Sequence, residues 1–389
     1  MIFAGETDNI RGAFIASHNR IKNIVNLNKY EVDLYLIQPY RNFFIRFLTK
    51  KQKNKKSDYF EYDGLTYKNI WLNSTFTDYL LRKCKKREII KANVLMQKTK
   101  LFSKYDLLSV HSTESGYLAL MNYRIHNIPY TVTWHGSDIH THPFLSSNVF
   151  EVTKSILEKA SMNFFVSKDL ESKSKQISDN IQSVVIYNGI DRRAFYPYSE
   201  NQLSEAYEKM NINSANKNIL FIGDFHKNKN IKCLPEVFSL IKQKILNAEL
   251  FIAGYEPQQN KVVNKVAENF IEFGVNAKFL GQIPYALMPA LINCMHLCIL
   301  PSYNEGMPLF AIESIACGVP FVGSRVGGIA EVVGKENTIQ HGANFNKEFS
   351  KLCIKHLLQL PQVNLSPKFD WTYSSKIEME AYKAILKTN

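Results

Sequence analysis

The chain has 389 residues, 45% of them hydrophobic and 21% charged, with a formal net charge of +13. That length exceeds one ordinary core and predicts two domains, and the composition excludes disordered and fibrous classes. No run approaches the roughly eighteen apolar residues of a membrane span.

The start, Met1 to Glu6, reads as a short buried strand. It lacks the basic flank, apolar stretch and cleavage site of a signal peptide, so a cytoplasmic location is expected. The positive surplus is concentrated near this end: residues 1–105 hold 21 Lys and Arg against 9 Asp and Glu. Two basic stretches dominate, one from Arg41 to Lys56 and one from Arg82 to Arg87. The first begins as an aromatic segment, with Phe43, Phe44 and Phe47, and ends in a lysine run. It could lie on the anionic inner face of a membrane or stand as a solvated loop. Sedimentation with anionic vesicles, lost when the lysines are neutralised, separates the two. No nucleic-acid motif accompanies the charge, so no nucleic-acid partner is expected.

Short apolar runs alternate with amphipathic segments, the pattern of parallel sheets flanked by helices. Strands are expected at 2–4, 32–38, 107–111, 130–134, 162–166 and 183–187, with helices at 14–26 and 116–126 between them. A polar stretch, 198–218, reads as the linker between an N-terminal domain of 1–200 and a second domain of 201–369. Strands in the second series fall at 218–222, 248–253, 277–280, 297–300 and 320–323. Helices at 232–245, 259–273, 287–293 and 309–317 separate them. A last helix, 370–388, is expected to fold back onto the first domain. The fold class is therefore α/β, two doubly wound units in tandem, which place ligands at the carboxyl ends of their strands. Six cysteines are scattered; Cys294 and Cys298 have no second pair to complete a tetrahedral metal site, and free buried thiols are expected.

The segment from Leu300 to Glu331 carries the chemistry. A strand ends at Leu300, a loop with Gly306 follows, and Pro308 stands where a first helical residue is favoured. The helix is closed by Gly318 with Pro320 beyond. Its free amides and dipole suit a diphosphate. Glu305 lies in the loop before the helix, and Glu313 a turn inside it can accept hydrogen bonds from paired hydroxyls.

This stretch resembles the signature of glycosyltransferase family 4 in the GT-B fold. The matching elements are Pro301-Ser302, Glu305-Gly306-Met307-Pro308, Glu313-Ser314-Ile315-Ala316-Cys317-Gly318-Val319-Pro320 and Gly327-Gly328-Ile329-Ala330-Glu331. Thr133-Trp134-His135-Gly136-Ser137-Asp138 resembles the Thr-x-His-Gly-x-Asp element of the first domain. Asn188-Gly189-Ile190-Asp191 with Phe195 and Pro197 is similar to the element that closes that domain. The segment from Phe221 to Asn230 resembles the Gly-Arg-x4-Lys-Gly element that opens the second, and Phe251-Ile-Ala-Gly254 also falls in place. Two departures stand out here: Asp224 replaces the usual Arg, and Asn230 replaces the Gly after Lys229.

The resemblance implies two Rossmann-like domains facing a cleft and a retaining, metal-independent, hexosyl-type transferase of surface polysaccharide synthesis. It would move sugar from a nucleotide-diphosphate donor to a glycan or lipid-linked acceptor. Lys229 and the backbone of Met307, Pro308, Leu309 and Phe310 would hold the diphosphate, with Gly12, Gly254 and Gly306 admitting close backbone approach. Glu305 would hold hydroxyls of the sugar, Glu313 the ribose, and His135 the sugar from the first domain. The implied catalytic residues are His135, Lys229 and Glu305. No metal or other cofactor is expected; His140 and His142, near His135, read as loop residues. The replacement of Arg by Asp224 keeps a non-catalytic or weakly active nucleotide-sugar-binding subunit open, and a nucleotide-sugar epimerase shares the fold.

Overall fold

The computed structural model describes residues 1–4, 12–27, 29–41, 56–74, 98–255 and 260–388. The basic segments 42–55 and 82–87, with Cys84, lie outside the described residues, as does the loop before Gly12. The chain forms two compact units, Met1–Asn188 with Trp371–Asn389, and Gly189–Asp370. Residues 189–200 thus go with the second unit, whereas the sequence reading ends the first domain at 200.

The first unit contains a sheet of β1 (Ile2–Ala4), β2 (Tyr35–Arg41), β3 (Tyr59–Tyr62), β4 (Leu65–Ser74), β5 (Leu108–His111), β6 (Tyr130–Trp134), β7 (Met162–Phe165) and β8 (Ser183–Val185). Their order is β3-β4-β2-β1-β5-β6-β7-β8. β5 and β6 are buried at every position although Leu-Ser-Val-His and Tyr-Thr-Val-Thr-Trp alternate apolar and polar residues, as strands covered on both faces can be. The pairs from β4 to β8 are parallel, and β3 joins β4 antiparallel. Sequence reading missed that edge hairpin. Its turn is Asp63-Gly64, both residues at positive φ of 47° and 79°, the mirror-type turn that an Asp-Gly pair favours. Helix Gly12–Asn26 buries Phe14, Ile21 and Ile24 on one face, and the C-terminal helix Trp371–Thr388 packs against it.

The second unit contains β9 (Lys217–Ile222), β10 (Ala248–Ala253), β11 (Lys278–Gly281), β12 (Leu297–Leu300), β13 (Phe321–Ser324) and β14 (Thr338–Ile339), parallel in every pair. The order is β11-β10-β9-β12-β13-β14. The linker holds a helix, Glu200–Met210, started by a capping box between Ser199 and Gln202, which satisfies two otherwise orphaned amides. Both sheets reverse their winding at one place, between β9 and β12 and between β1 and β5. Loops leaving the carboxyl ends there are where ligands bind in such sheets. Among the described residues no helix is long and apolar enough to cross a membrane.

Candidate functional site

In the second unit the two loops at the winding reversal are tied together. The backbone N–H of Tyr303 donates to the Asn228 carbonyl at 2.8 Å, and Asn228 Nδ2 donates to the Asn304 carbonyl at 2.6 Å. This brings Lys229 onto Glu305, with Nζ 2.8 Å from Oε1 and side chains 24% and 10% exposed. Gly223 makes room for the Lys229 stem: a Cβ there would stand 3.2 Å from Lys229 Cγ. Gly254 sits in turn against Gly223, at φ +90°, where a Cβ would meet the Gly223 nitrogen at 3.1 Å. Asp224 is half-buried in the same loop.

Asn230 explains one departure from the family pattern. It has φ +50° and is buried, so the chain needs the left-handed conformation where relatives carry Gly. Asn reaches that region more readily than other side chains.

The loop with Glu305 and Gly306 is fixed from a third side. Gly328 N–H donates to the Gly306 carbonyl at 2.6 Å. A Cβ on Gly327, whose φ is +53°, would lie 2.0 Å from the Glu305 carbonyl oxygen. Helix Leu309–Ala316 follows, with buried Met307 and Phe310 and half-buried Leu309 around its start. Pro308 is the residue before the helix, with ψ 124°, not its first residue. The first-turn amides of such a helix have no partner within it. Glu313 is buried on this helix and accepts a hydrogen bond from Tyr285 Oη at 3.1 Å. Burial pushes its carboxyl up to about 7. Phe195 packs on the Tyr285 ring at 5.6 Å, and Pro197 lies against Gly318, at φ +76°. The Phe-x-Pro half of the Asn-Gly-Ile-Asp element thus buttresses the second unit's helix.

In the first unit His135 follows β6. The Asp138 carboxylate accepts the N–H groups of His135, at 3.0 Å, and Gly136, at 2.7 Å. His135 Nε2 lies 3.1 Å from His111 Nδ1 and 3.2 Å from Ser17 Oγ. Burial, and then the Arg20 guanidinium, push His135 down to about 3, so it is neutral at physiological pH. Gly12 is the exposed first residue of the helix that carries Ser17, and no described atom would crowd a Cβ there. At 1.5 Å of rise per residue it lies about 8 Å up the axis from Ser17. His140 ends a short helix, Ser137–His140, and His142 opens a turn, His142–Leu145. Among the described residues no cluster of three His, Cys, Asp or Glu is placed to hold a metal ion. The five described cysteines are free and buried. A cavity of about 190 Å³ in this unit, between Ile2, Tyr35, Leu108 and Tyr382, opens at the amino ends of the strands, away from these loops.

Sequence reasoning missed His111, Ser17, Arg20, Asn228 and Tyr285. His111 had a signal, since it ends a buried strand just as Trp134 does before His135. The others are brought in by the fold.

Comparison with solved structures places the fold among GT-B glycosyltransferases. Sucrose-phosphate synthase from Thermosynechococcus elongatus superposes with a TM-score of 0.72 at 17% identity, covering 100% of this chain and 99% of that one. Anabaena HepE in complex with UDP gives 0.69 at 15% identity, over 98% and 99%. Two family models match, "Glycosyl transferases group 1" over residues 204–363 and "Glycosyltransferase Family 4" over 42–193. The chain belongs to glycosyltransferase family 4. Its relatives include a teichuronic acid biosynthesis glycosyltransferase, TuaC, of Bacillus subtilis, 27% identical over 59% of this chain and 56% of that protein. The N-acetyl-alpha-D-glucosaminyl L-malate synthase of Bacillus anthracis is 29% identical over 55% and 53%. The O-antigen chain mannosyltransferase B of Escherichia coli is 31% identical over 30% of each chain. The chain spans about half the length of the first two.

Proposed function

We propose that this protein moves a hexosyl group from a nucleotide-diphosphate sugar to a glycan or lipid-linked saccharide acceptor in bacterial surface polysaccharide synthesis. The anomeric configuration is retained and no metal is used. The Lys229–Glu305 pair beside the start of helix Leu309–Ala316 carries this reading. It puts a cation, a hydroxyl acceptor and helix amides at one loop cluster, the groups a departing sugar diphosphate needs. Neighbours of this fold are described with bound UDP and UDP-glucose, which supports a nucleotide-sugar donor. The relatives named for teichuronic acid and O-antigen synthesis support the polysaccharide role.

In this reading Lys229 leaves Glu305 for the diphosphate, and Glu305 turns to the sugar hydroxyls. Glu313 accepts from the ribose, Gly254 and Gly306 let backbone approach, and His135 meets the sugar from the first unit. Gly12 admits the phosphates to the start of its helix. The bond between the anomeric carbon and the phosphate oxygen breaks as the acceptor oxygen bonds on the same face. The acceptor proton passes to the leaving phosphate. The protein works at the cytoplasmic face, where the basic segments reach an anionic membrane surface; unaltered cosedimentation with anionic vesicles after neutralising them would refute that contact.

The reading is tested with a panel of nucleotide sugars. Lys229→Ala and Glu305→Ala should each lower turnover about a hundredfold or more, with the wild-type rate unchanged by EDTA. Wild-type turnover in both variants overturns the site, and a rate abolished by EDTA overturns metal independence.

A further inference from the structure

The hydrogen bonds around His135 assign its protons. Ser17 Oγ lies 2.8 Å from the Ala13 carbonyl oxygen, one helical turn back. A hydroxyl has a single proton, and the contact to Ala13 is shorter than the 3.2 Å contact to His135, so we place that proton toward Ala13. Ser17 Oγ therefore faces His135 Nε2 as an acceptor, and Nε2 carries the proton. His111 Nδ1, 3.1 Å from the same nitrogen, must then present its lone pair, which puts its own proton on Nε2. Both acceptors converge on one N–H, and the remaining nitrogen of His135, Nδ1, is a lone pair.

Three further observations show that this arrangement is built. The two imidazoles stack at 5.4 Å with their planes 19° apart, which fixes the ring plane of His135. Ser112, directly after His111, has φ +77°, a strained conformation for a side-chain-bearing residue of the kind that persists where the surroundings demand it. Ser115 Oγ donates to the His111 carbonyl and holds that turn. Burial, and after it the neighbouring His135 ring at His111 and the Arg20 guanidinium at both, keeps both rings neutral, so each has one donor and one acceptor nitrogen.

We propose that Ser17 and His111 are positioning residues that lock His135 in its Nε2–H form, so that its Nδ1 accepts a hydrogen bond from a hydroxyl of the transferred sugar. The inference rests on the transferase reading for the identity of that hydroxyl, and on the first unit alone for the tautomer.

The experiment uses the full chain labelled with ¹⁵N-histidine, with the His135 signals assigned by their loss in His135→Gln. Long-range nitrogen–proton spectra should show a single Nε2–H tautomer for His135 in the wild type. The double variant Ser17→Ala, His111→Phe should relax to the mixture of an unconstrained imidazole, with donor turnover down about tenfold, as the loss of a hydrogen bond predicts. Asn in place of His111 keeps an acceptor where Nδ1 stood. Restoring it in the Ser17→Ala background should bring back the Nε2–H form and most of the turnover. An Nδ1–H wild type, or a double variant with an unchanged spectrum, overturns the proposal. The spectrum needs no substrate, so a failure of the transferase reading is distinguishable: the wild type would then turn over no donor while the tautomer followed the prediction, whereas wild-type turnover kept in His135→Gln overturns the sugar contact.

Discussion

The two units build their functional loops by different means. The second relies on backbone. Gly223, Gly254 and Gly327 let loops approach within a hydrogen bond or closer of where a side chain would be, Gly328 N–H holds the Gly306 carbonyl, and an ion pair sits on top. The first relies on buried side chains. His111 and Arg20 are almost fully buried, and Ser17 and Asp138 nearly so, and all are bonded to one another or to backbone beneath His135. A backbone site tolerates changes in the core below it but not an added methyl group. A side-chain site fails in the opposite way, through removal of a partner.

The sharpest way to break this comparison is at Arg20. Its guanidinium donates to the carbonyls of Ile186 and Tyr187, at 3.2 and 3.3 Å, and to Asn188 Oδ1 at 3.4 Å. Its Nε lies 3.9 Å from Glu378, with both side chains buried. One residue thus ties the first helix to the chain's exit from this unit and to the C-terminal helix. Arg20→Ala leaves a buried carboxyl and three acceptors behind, and should cost about 3–5 kcal/mol in a denaturant titration. Arg20→Met with Glu378→Leu removes both charges and should recover most of that loss. Equal stability of the single and double variants would show that the pair is not coupled.

A smaller effect, with opposite signs for stability and function, is expected at Glu313. Burial raises its folded-state carboxyl to about 7 from 4.5. Unfolding therefore releases a proton between those values, and stability falls as pH rises from about 4.5 to 7. At pH 8 this amounts to roughly 3 kcal/mol. Glu313→Gln keeps an acceptor for Tyr285 and has nothing to ionise, so it should be more stable at pH 8 and no different near pH 4. Donor affinity should run the other way. Only the ionised carboxylate accepts from two ribose hydroxyls, so wild-type KM for donor should rise as pH falls below about 7, while the Gln variant stays flat and weak. Parallel pH profiles of the two proteins would remove Glu313 from the donor site.

The same contrast governs what the sequence revealed. The second unit's site lies in two continuous segments, 223–230 and 300–331, whose Gly and Pro punctuation is readable because backbone geometry is local. The Lys229–Glu305 pairing was legible from motif order alone, though its bond was not. The first unit's support comes from Asp138, local to His135 in the quoted motif, and from residues 17, 20 and 111, which only the sheet order β1-β5-β6 brings to it. Ser17 and Arg20 carry no local signal of that role, since a polar residue on a helix is by default solvated. The hairpin β3–β4 was legible through Asp63-Gly64, yet its alternating flanks were passed over beside the basic runs. The polar stretch after Pro197 looks like a linker in the sequence, whereas Phe195 and Pro197 before it are packed on Tyr285 and Gly318.

The smallest effect tests whether the second unit's loops depend on backbone alone. Asn230 occupies φ +50° between the turn Lys227–Lys229 and the turn Ile231–Cys233. Its amide donates to the Lys227 carbonyl at 3.2 Å, so any residue here must hold that angle. Asn230→Ala meets the steric penalty of the left-handed region without local polar compensation, and should cost about 1 kcal/mol. Asn230→Gly relieves that strain but adds freedom to the unfolded chain, so the two terms nearly cancel. Thermal denaturation should therefore place Gly within a degree or two of wild type, and Ala lower by about 3 °C. Since this turn sets Lys229, the Ala variant should also lose a few-fold in donor turnover, while Gly keeps it. If Ala and Gly behaved alike, the Asn side chain rather than its backbone angle would be holding the loop, and the second unit would resemble the first.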